Sequence, residues 1–377
     1  MNTVDAGCFA LARQPQEAPG PAGRTLEGED LERWRRRFGP FLKHIRKKRV
    51  VLALSGGGLA FPCHVSTLRV LELLRVPVSA VYGTSAGAVI GGLYAAGLST
   101  GDLERTMLAI ESPEELFGFA ARFPALRLVS AEIVRKLRGA TFESLGIYDL
   151  STVEQFVERI LVEYVGRVPT LGELEVDFSC IAYDIGTGER RPGKPEMTRK
   201  KVFSTRRTPD VRLSDAIAAS MSIPGILTPK KINGRHYIDG GPVEHLPIST
   251  AHDDWASGGL FRKKVVTIGV DLGYGGEALT IEHLANPVDL ILYTNSVQSR
   301  TITQYNLLRC HSPRRGHTVV LVRPKTMHIG LADIEKIPLA IRSAYVETVE
   351  QLAGPGFLRQ TEAEIAKTQS LLGRSSL

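Results

Sequence analysis

The sequence predicts an α/β protein of three layers, α/β/α, around a mainly parallel central sheet. Two observations carry that expectation. Apolar, β-branched runs of the kind found in strands covered on both faces occur at Arg49–Ser55, Val78–Thr84 and Lys264–Leu272. Between the first two lie a glycine loop and a segment of helical period, and a second helical segment follows Thr84. Strand, loop, helix, strand, helix is the succession of a parallel sheet wrapped by crossover helices.

The elements follow in order. Residues 1–30 are rich in Pro, Gly, Ala and Gln without a periodic pattern and read as a disordered leader. Residues 31–48 form a basic amphipathic segment broken near Gly39-Pro40, in which Arg33, Arg35, Arg36, Arg37, Lys43, Arg46, Lys47 and Lys48 interleave with Trp34, Phe38, Phe41, Leu42 and Ile45. Such a segment is either a solvated lead-in to the first strand or, through residues 33–49, a contact for an anionic membrane surface. Basic residues among aromatics also suit nucleic acid, but the rest of the chain has no nucleic-acid motif, so no nucleic-acid partner is expected. The catalytic domain is expected over 49–355. It opens with the strand Arg49–Ser55, the loop Gly56-Gly57-Gly58 and a helix over Pro62–Leu74, with Pro62 suited to its first turn. The strand Val78–Thr84 then leads into a helix of small residues ending near Ala96.

Residues 100–146 are helical but irregular, with Pro113, Phe117, Phe119, Phe123 and Pro124, and read as a lid over an apolar site or as a plain helical insertion. The apolar residues of 114–132 fit core or an acyl-binding wall. Ser151-Thr152-Val153-Glu154 resembles a capping box at the start of an amphipathic helix. A strand over Val176–Tyr183, a turn at Gly186-Thr187-Gly188 and a returning strand from Val202 come next. A short helix, Leu213–Met221, stops before Pro224, and Lys231–Ile238 reads as a hairpin pivoting on Asn233-Gly234. After Lys264–Leu272 come a long helix within Ile281–Leu308, a strand at His317–Val322 and a helix over Ala332–Leu352. Residues 356–377 read as a C-terminal tail.

Bulk properties narrow the class. A 377-residue chain with 43% hydrophobic and 23% charged residues matches a soluble globular protein with a sizeable core. No apolar run reaches the roughly 18 residues of a membrane span, and the first residues lack a basic stretch followed by an apolar one, so a cytoplasmic location, with peripheral membrane contact, is expected. Cys8, Cys63, Cys180 and Cys310 show neither metal nor redox spacing and fit free thiols.

The chemistry centres on Gly83-Thr84-Ser85-Ala86-Gly87, a Gly-x-Ser-x-Gly pentad placed between a strand and a helix. That is the layout of a nucleophile elbow, with Ser85 at the apex of a turn too tight for side chains at Gly83 and Gly87. A nucleophilic serine also needs an oxyanion hole and a base. Gly56-Gly57-Gly58 offers unshielded amides for a developing alkoxide, although a phosphate-binding loop or a plain turn has the same composition. The position a dinucleotide fingerprint gives to its third glycine is Phe61, and no Walker lysine follows. For the base, a triad would use a histidine later in the chain, and His311, His317 and His328 are candidates by order. Asp239-Gly240-Gly241 is the alternative: a carboxylate after a strand end, with two glycines that let it approach another loop, or else a hairpin turn. His64 on the first helix suits packing or hydrogen bonding, Cys63 a buried thiol, and His245 a loop after Asp239.

Several motifs in order carry a resemblance. Leu52-Ala53-Leu54-Ser55-Gly56-Gly57-Gly58, Gly83-Thr84-Ser85-Ala86-Gly87, Ala218-Ala219-Ser220-Met221-Ser222-Ile223-Pro224-Gly225 and Tyr237-Ile238-Asp239-Gly240-Gly241 together resemble the patatin-like phospholipase family over roughly residues 48–275. The resemblance implies a patatin-like fold and a Ser85–Asp239 dyad with no catalytic histidine, cofactor or metal. It also implies an oxyanion loop at Gly56, Gly57 and Gly58, and cleavage of phospholipid or other acyl-ester lipids through an acyl-enzyme. The chain departs from the family at Leu59-Ala60-Phe61, where a variable residue, Arg and Gly are usual. The departure removes a positive charge beside the oxyanion and keeps open a catalytically silent, lipid- or protein-binding member; the triple glycine itself still supplies donors.

Overall fold

The computed structural model describes residues 28–112, 114–117, 146, 148–187, 199–257, 264–273, 287–324 and 333–374. Residues 1–27, residues 118–132 of the apolar stretch, and His328 lie outside the described residues.

The β-branched runs form one sheet. Its strands are β1 (Arg49–Leu54), β2 (Val78–Thr84), β3 (Asp177–Gly186), β4 (Arg199–Ser204), β5 (Lys230–Ile232), β6 (Arg235–Asp239), β7 (Val265–Val270) and β8 (His317–Val322). They lie in the order β5-β6-β3-β2-β1-β7-β8, with β4 also paired to β3. Neighbours from β3 through β8 are parallel, whereas β4 and β6 run antiparallel to β3, and β5 to β6. The expected mainly parallel sheet is therefore present, with an antiparallel margin on one side.

Helices cover both faces. They are α1 (Gly28–Arg36), α2 (Gly39–Ile45), α3 (Cys63–Leu73), α4 (Ala86–Ala95), α5 (Thr100–Leu108), α6 (Glu114–Phe117), α7 (Ser151–Val165), α8 (Leu213–Met221), α9 (Gly241–Glu244), α10 (Ile248–His252), α11 (Pro287–Cys310), α12 (Ile337–Leu352) and α13 (Arg359–Arg374). Alternation along the strands separates two cores, as the two-residue period of a strand requires. Leu52, Leu54, Val266, Ile268 and Val320 pack with Leu68, Ile90, Ile217 and Ile341 of α3, α4, α8 and α12. Ala53, Val319 and Leu321 face Ile248 and Leu307 of α10 and α11 on the other side.

Several local expectations change. The capping-box reading of Ser151–Glu154 fails: Leu150 is the N-cap without a side-chain bond, and Glu154 instead accepts from Lys230 Nζ at 2.6 Å. A reciprocal box does exist at Ser99 and Asp102, before α5. The hairpin holds, with Asn233 and Gly234 at φ 49° and 78°, the two positive values a type I′ turn needs. Residues 356–377, expected as a tail, carry α13 instead. Thr361 of that helix accepts the Leu321 N–H at 2.9 Å and donates to the Val319 carbonyl at 3.1 Å, which covers part of the open edge of β8.

The basic segment is also corrected. Trp34, Phe38, Phe41 and Ile45 are buried in the main core, so the apolar side of α1 and α2 is packed inward. Phe41 meets Phe357 edge-on at 5.8 Å, and Arg35 donates to the Leu73 carbonyl at the end of α3. Arg33, Arg36, Arg37, Lys43, Arg46, Lys47 and Arg49 stay exposed. The segment is a docked pair of helices with a charged outer face.

One feature of the sheet positions the chemistry. β2 pairs with the first half of β3, ending at Thr84 opposite Ile181. β6 pairs with the second half, starting from Asp239 opposite Ala182. Ile181 and Ala182 also pair with β4, which takes up the other edge of β3. So β2 and β6 share one edge of β3 and meet end to end, and the residues that terminate them face each other.

Phe41→Ala should lower stability by about 3–4 kcal/mol, the cost of emptying a buried phenylalanine site. Arg36→Ala, exposed on the same segment, should stay within about 0.5 kcal/mol. Urea unfolding of the two variants measures the difference.

Candidate active site

Ser85 stands where β2 turns into α4. Its φ of 53° and ψ of −118° are the strained geometry of a serine lifted out of a tight turn. The flanking glycines are required by contact. A Cβ on Gly83 would lie 2.4 Å from the Gly87 carbonyl oxygen, and one on Gly87 would lie 2.1 Å from that of Leu54. Thr84 and Ala86 are buried, and the Thr84 hydroxyl donates to the Glu244 carbonyl at 2.8 Å, tying the elbow to the end of α9.

Two serines that the sequence reading left inside a family motif prove structural to the elbow. Ser220 Oγ accepts the Ser85 N–H at 2.9 Å and donates to the Ile181 carbonyl at 2.6 Å, in the gap between β2 and β6. The Ser222 carbonyl accepts the Asp239 N–H at 2.8 Å. Nothing in the local sequence marks these roles, because both depend on where α8 crosses the sheet.

Asp239 ends β6 with its carboxylate buried and directed at the elbow. Oδ1 accepts the Gly241 N–H at 2.6 Å. Gly240 must be glycine, since a Cβ there would lie 2.3 Å from the Ile181 carbonyl oxygen. Burial pushes the Asp239 carboxyl up to about 6, against a partial downward pull from hydrogen bonding by Ser85 and by the Gly241 amide. Ser85 and Asp239 are thus brought together, as the sequence anticipated for these two residues.

The glycine loop follows β1 beside them, and one of its three glycines differs from expectation. The Gly56 N–H donates to the His245 carbonyl at 3.1 Å and is not free for an oxyanion. Among the described residues no acceptor takes the N–H of Gly57, Gly58 or Ala86. These amides, with the N-terminal end of α4, form the available donor set. The loop is braced from behind: Leu272 N–H donates to Ser55 Oγ at 2.8 Å, and His64 Nε2 bonds the Ser55 carbonyl at 2.8 Å. Burial holds His64 down at about 4, so it is neutral and donates. Leu59, Ala60 and Phe61 are buried in the core, so the residues that replace the usual arginine and glycine act in packing.

Neither His311 nor His317 reaches Ser85. Leu54 is level with Gly83 on one side and, through β7, with Val322 on the other. His317 begins β8 at the far end, roughly 16 Å along the strand at about 3.3 Å per residue, and it packs against His252. His311 accepts the Val319 N–H at 3.2 Å near that same end. A triad through either residue is therefore excluded by the topology. Cys63 is a buried free thiol, as expected. Among the described residues no group of three or more His, Cys, Asp or Glu is placed to hold a metal ion. A cavity of about 280 Å³ lined by Tyr82, Asp177, Arg206, Arg207 and Trp255 opens near the start of β3, away from the elbow, with both arginines paired to aspartates.

Known proteins resemble this chain over part of its length. A family model described as patatin-like phospholipase matches residues 52–252. An uncharacterized NTE-family protein of Mycobacterium tuberculosis is 27% identical over 201 residues, covering 53% of this chain and 45% of the relative. A lysophospholipase of Neurospora crassa is 28% identical over 212 residues, covering 56% of this chain and 12% of the relative. The chain thus spans less than half the length of these relatives. Among solved structures, VipD from Legionella pneumophila aligns with a TM-score of 0.44 at 15% identity, covering 81% of this chain and 67% of that one.

The raised pKa of Asp239 has a stability consequence. Folding favours the protonated acid, so its contribution is fully present below pH about 4 and is lost as pH rises through about 6. Asp239→Asn should therefore be more stable than wild type at pH 8, by about 1–3 kcal/mol, with the difference vanishing near pH 4. Thermal unfolding at the two pH values gives the comparison.

Proposed function

The chain belongs to the patatin-like phospholipase family, and from that premise we propose that it is a lipid acyl hydrolase of phospholipase A or lysophospholipase type, with Ser85 as nucleophile and Asp239 as general base. The observation that carries this reading is the end-to-end meeting of β2 and β6 on β3, which sets a strained serine against a buried carboxylate of raised pKa. A base with a pKa near 6 is ionised at neutral pH yet basic enough to share a proton in a transition state.

Asp239 takes the Ser85 proton as Oγ attacks the ester carbonyl. The oxyanion accepts from the amides of Gly57, Gly58 and Ala86, for which no described acceptor competes. Collapse expels the alcohol of the lysolipid or head-group portion, which leaves with the proton from Asp239. Water, deprotonated by the same carboxylate, attacks the acyl-Ser85 ester, and Oγ recovers the proton as the fatty acid departs. Each half-reaction returns Asp239 to its starting charge.

Ser85→Ala and Asp239→Asn should each reduce hydrolysis of a fluorogenic short-chain ester by about 10³-fold or more. A fluorophosphonate probe should label wild type at Ser85. The wild-type kcat/KM should rise with pH to a plateau with an acid limb near 6, rather than near the 4 of an ordinary aspartate. Turnover retained in either variant would remove the dyad, and an unlabelled wild type would favour a silent, binding member of the family.

Contact with a lipid surface, in this reading, is electrostatic. The exposed Arg33, Arg36, Arg37, Lys43, Arg46, Lys47 and Arg49 supply charge, while the apolar side of α1 and α2 is occupied inside the protein. Flotation with vesicles containing anionic phosphatidylserine should therefore fall steeply between about 50 and 500 mM salt, where the screening length shrinks from more than 10 Å to a few ångström. Retention at high salt would mean that apolar insertion holds the protein there.

A further inference from the structure

His245 is the first residue after α9, six positions beyond Asp239, and its side chain lies beside Gly56 of the glycine loop and Gly241 of the loop after β6. A methyl group placed on Gly56 would lie 2.8 Å from its Cε1, 2.9 Å from its Nδ1 and 3.5 Å from Ser85 Cβ. A methyl group on Gly241 would lie 3.0 Å from Asp239 Oδ1 and 3.7 Å from the same Nδ1. The imidazole therefore flanks both members of the dyad, and glycines at 56 and 241 leave the space between the three groups open.

The ring is held there without a hydrogen bond to any described residue, and it is only part-buried. Its main chain explains the placement: the His245 carbonyl accepts the Gly56 N–H, which draws the loop after β6 over the oxyanion loop. Burial lowers its pKa, with the Asp271 carboxylate opposing, so at neutral pH the ring is uncharged and carries one accepting nitrogen. An imidazole beside the dyad whose accepting nitrogen has no described protein partner can take a water molecule there.

We propose that His245 is a catalytic residue of the second half-reaction, holding the water that hydrolyses the Ser85 acyl-enzyme. The inference rests on the acyl-hydrolase reading above. The water donates one hydrogen to Asp239 and the other to His245. Its oxygen bonds to the acyl carbon, and the first proton passes to Asp239 as the carbonyl oxygen becomes the oxyanion. Collapse then breaks the bond to Oγ, which takes that proton back from Asp239. The second hydrogen stays on the water oxygen and leaves in the carboxyl group, so His245 ends unchanged. In the first half-reaction the ester occupies the cleft and no such water is needed. His245 therefore separates deacylation from acylation.

The experiment compares His245→Ala and His245→Asn with wild type in two measurements. The rate of fluorophosphonate labelling reads nucleophile and oxyanion loop without water attack. Pre-steady-state turnover of a p-nitrophenyl ester, followed by intact mass, reads deacylation. For His245→Ala the labelling rate should stay within about threefold of wild type while kcat falls roughly 10- to 100-fold, acyl-Ser85 accumulates, and added imidazole restores part of the rate. Should His245→Ala fail to fold, His245→Asn, smaller but polar, serves for the same comparison and should also accumulate acyl-enzyme. Labelling and turnover falling together, or turnover unchanged, would overturn the assignment while leaving the dyad standing. A wild type that is neither labelled nor acylated would overturn the acyl-hydrolase reading and this one with it.

Discussion

The arrangement depends on one edge of one strand. β3 is long enough to take β2 along its first half and β6, from the opposite direction, along its second. Neither incoming strand can continue past the other, so both must turn away at Ile181–Ala182. β2 turns through the elbow into α4, and β6 turns through Gly240-Gly241 into α9. The Ile181 carbonyl, left at the junction, accepts from Ser220, whose oxygen holds the Ser85 amide. Gly240 is pressed so closely on that carbonyl that any side chain would displace the turn. The meeting of Ser85 and Asp239 is thus a consequence of strand registry, and misplacing either strand by one residue would turn its terminal side chain to the other face.

Electrostatics distinguish Asp239 from the other buried carboxylates nearby. Glu244 is paired with Lys200 at 2.8 Å, Asp184 with Arg235 at 2.8 Å, and Asp271 with Arg323 at 2.9 Å. Each partner offsets the cost of moving a charge out of water. Among the described residues Asp239 has no such cation, and an amide and the serine hydroxyl hold it. An unpaired carboxylate in this position weakens the fold at neutral pH, and the same lack of a partner gives the group its basicity. A cation placed beside it would stabilise the protein and lower the pKa on which the proposed proton transfer relies.

Much of this was legible in the sequence where the requirement was local. The strand Val78–Thr84 and the helix Leu213–Met221 appear at the boundaries their apolar patterns indicated. Gly83, Gly87 and Gly240 were recognisable because a Cβ there meets backbone, a constraint that leaves only glycine. Features that depend on chain path were not legible. That Gly56 spends its amide on His245 follows from how one loop lies over another, and no residue type signals it. α13 escaped notice for a different reason: the side it buries includes Thr361, Glu364 and Thr368, so the helix lacks the apolar period by which helices are read.

The α1–α2 segment shows why an amphipathic pattern alone does not identify a membrane helix. Pattern fixes which side chains share a face, but not what covers that face. Here Phe41 and Ile45 are covered by the body of the protein, and Arg37 closes the join by accepting the Gly354 N–H at 2.7 Å through its carbonyl. To insert into lipid, these helices would first have to leave the core and expose Phe357 and its neighbours, at a cost of several kcal/mol by the burial of two aromatic rings alone. The exposed arginines and lysines need no such rearrangement. Among the described residues of this side, charge is what a lipid surface would meet first, and the contact proposed above would therefore be long-ranged, reversible and set by ionic strength.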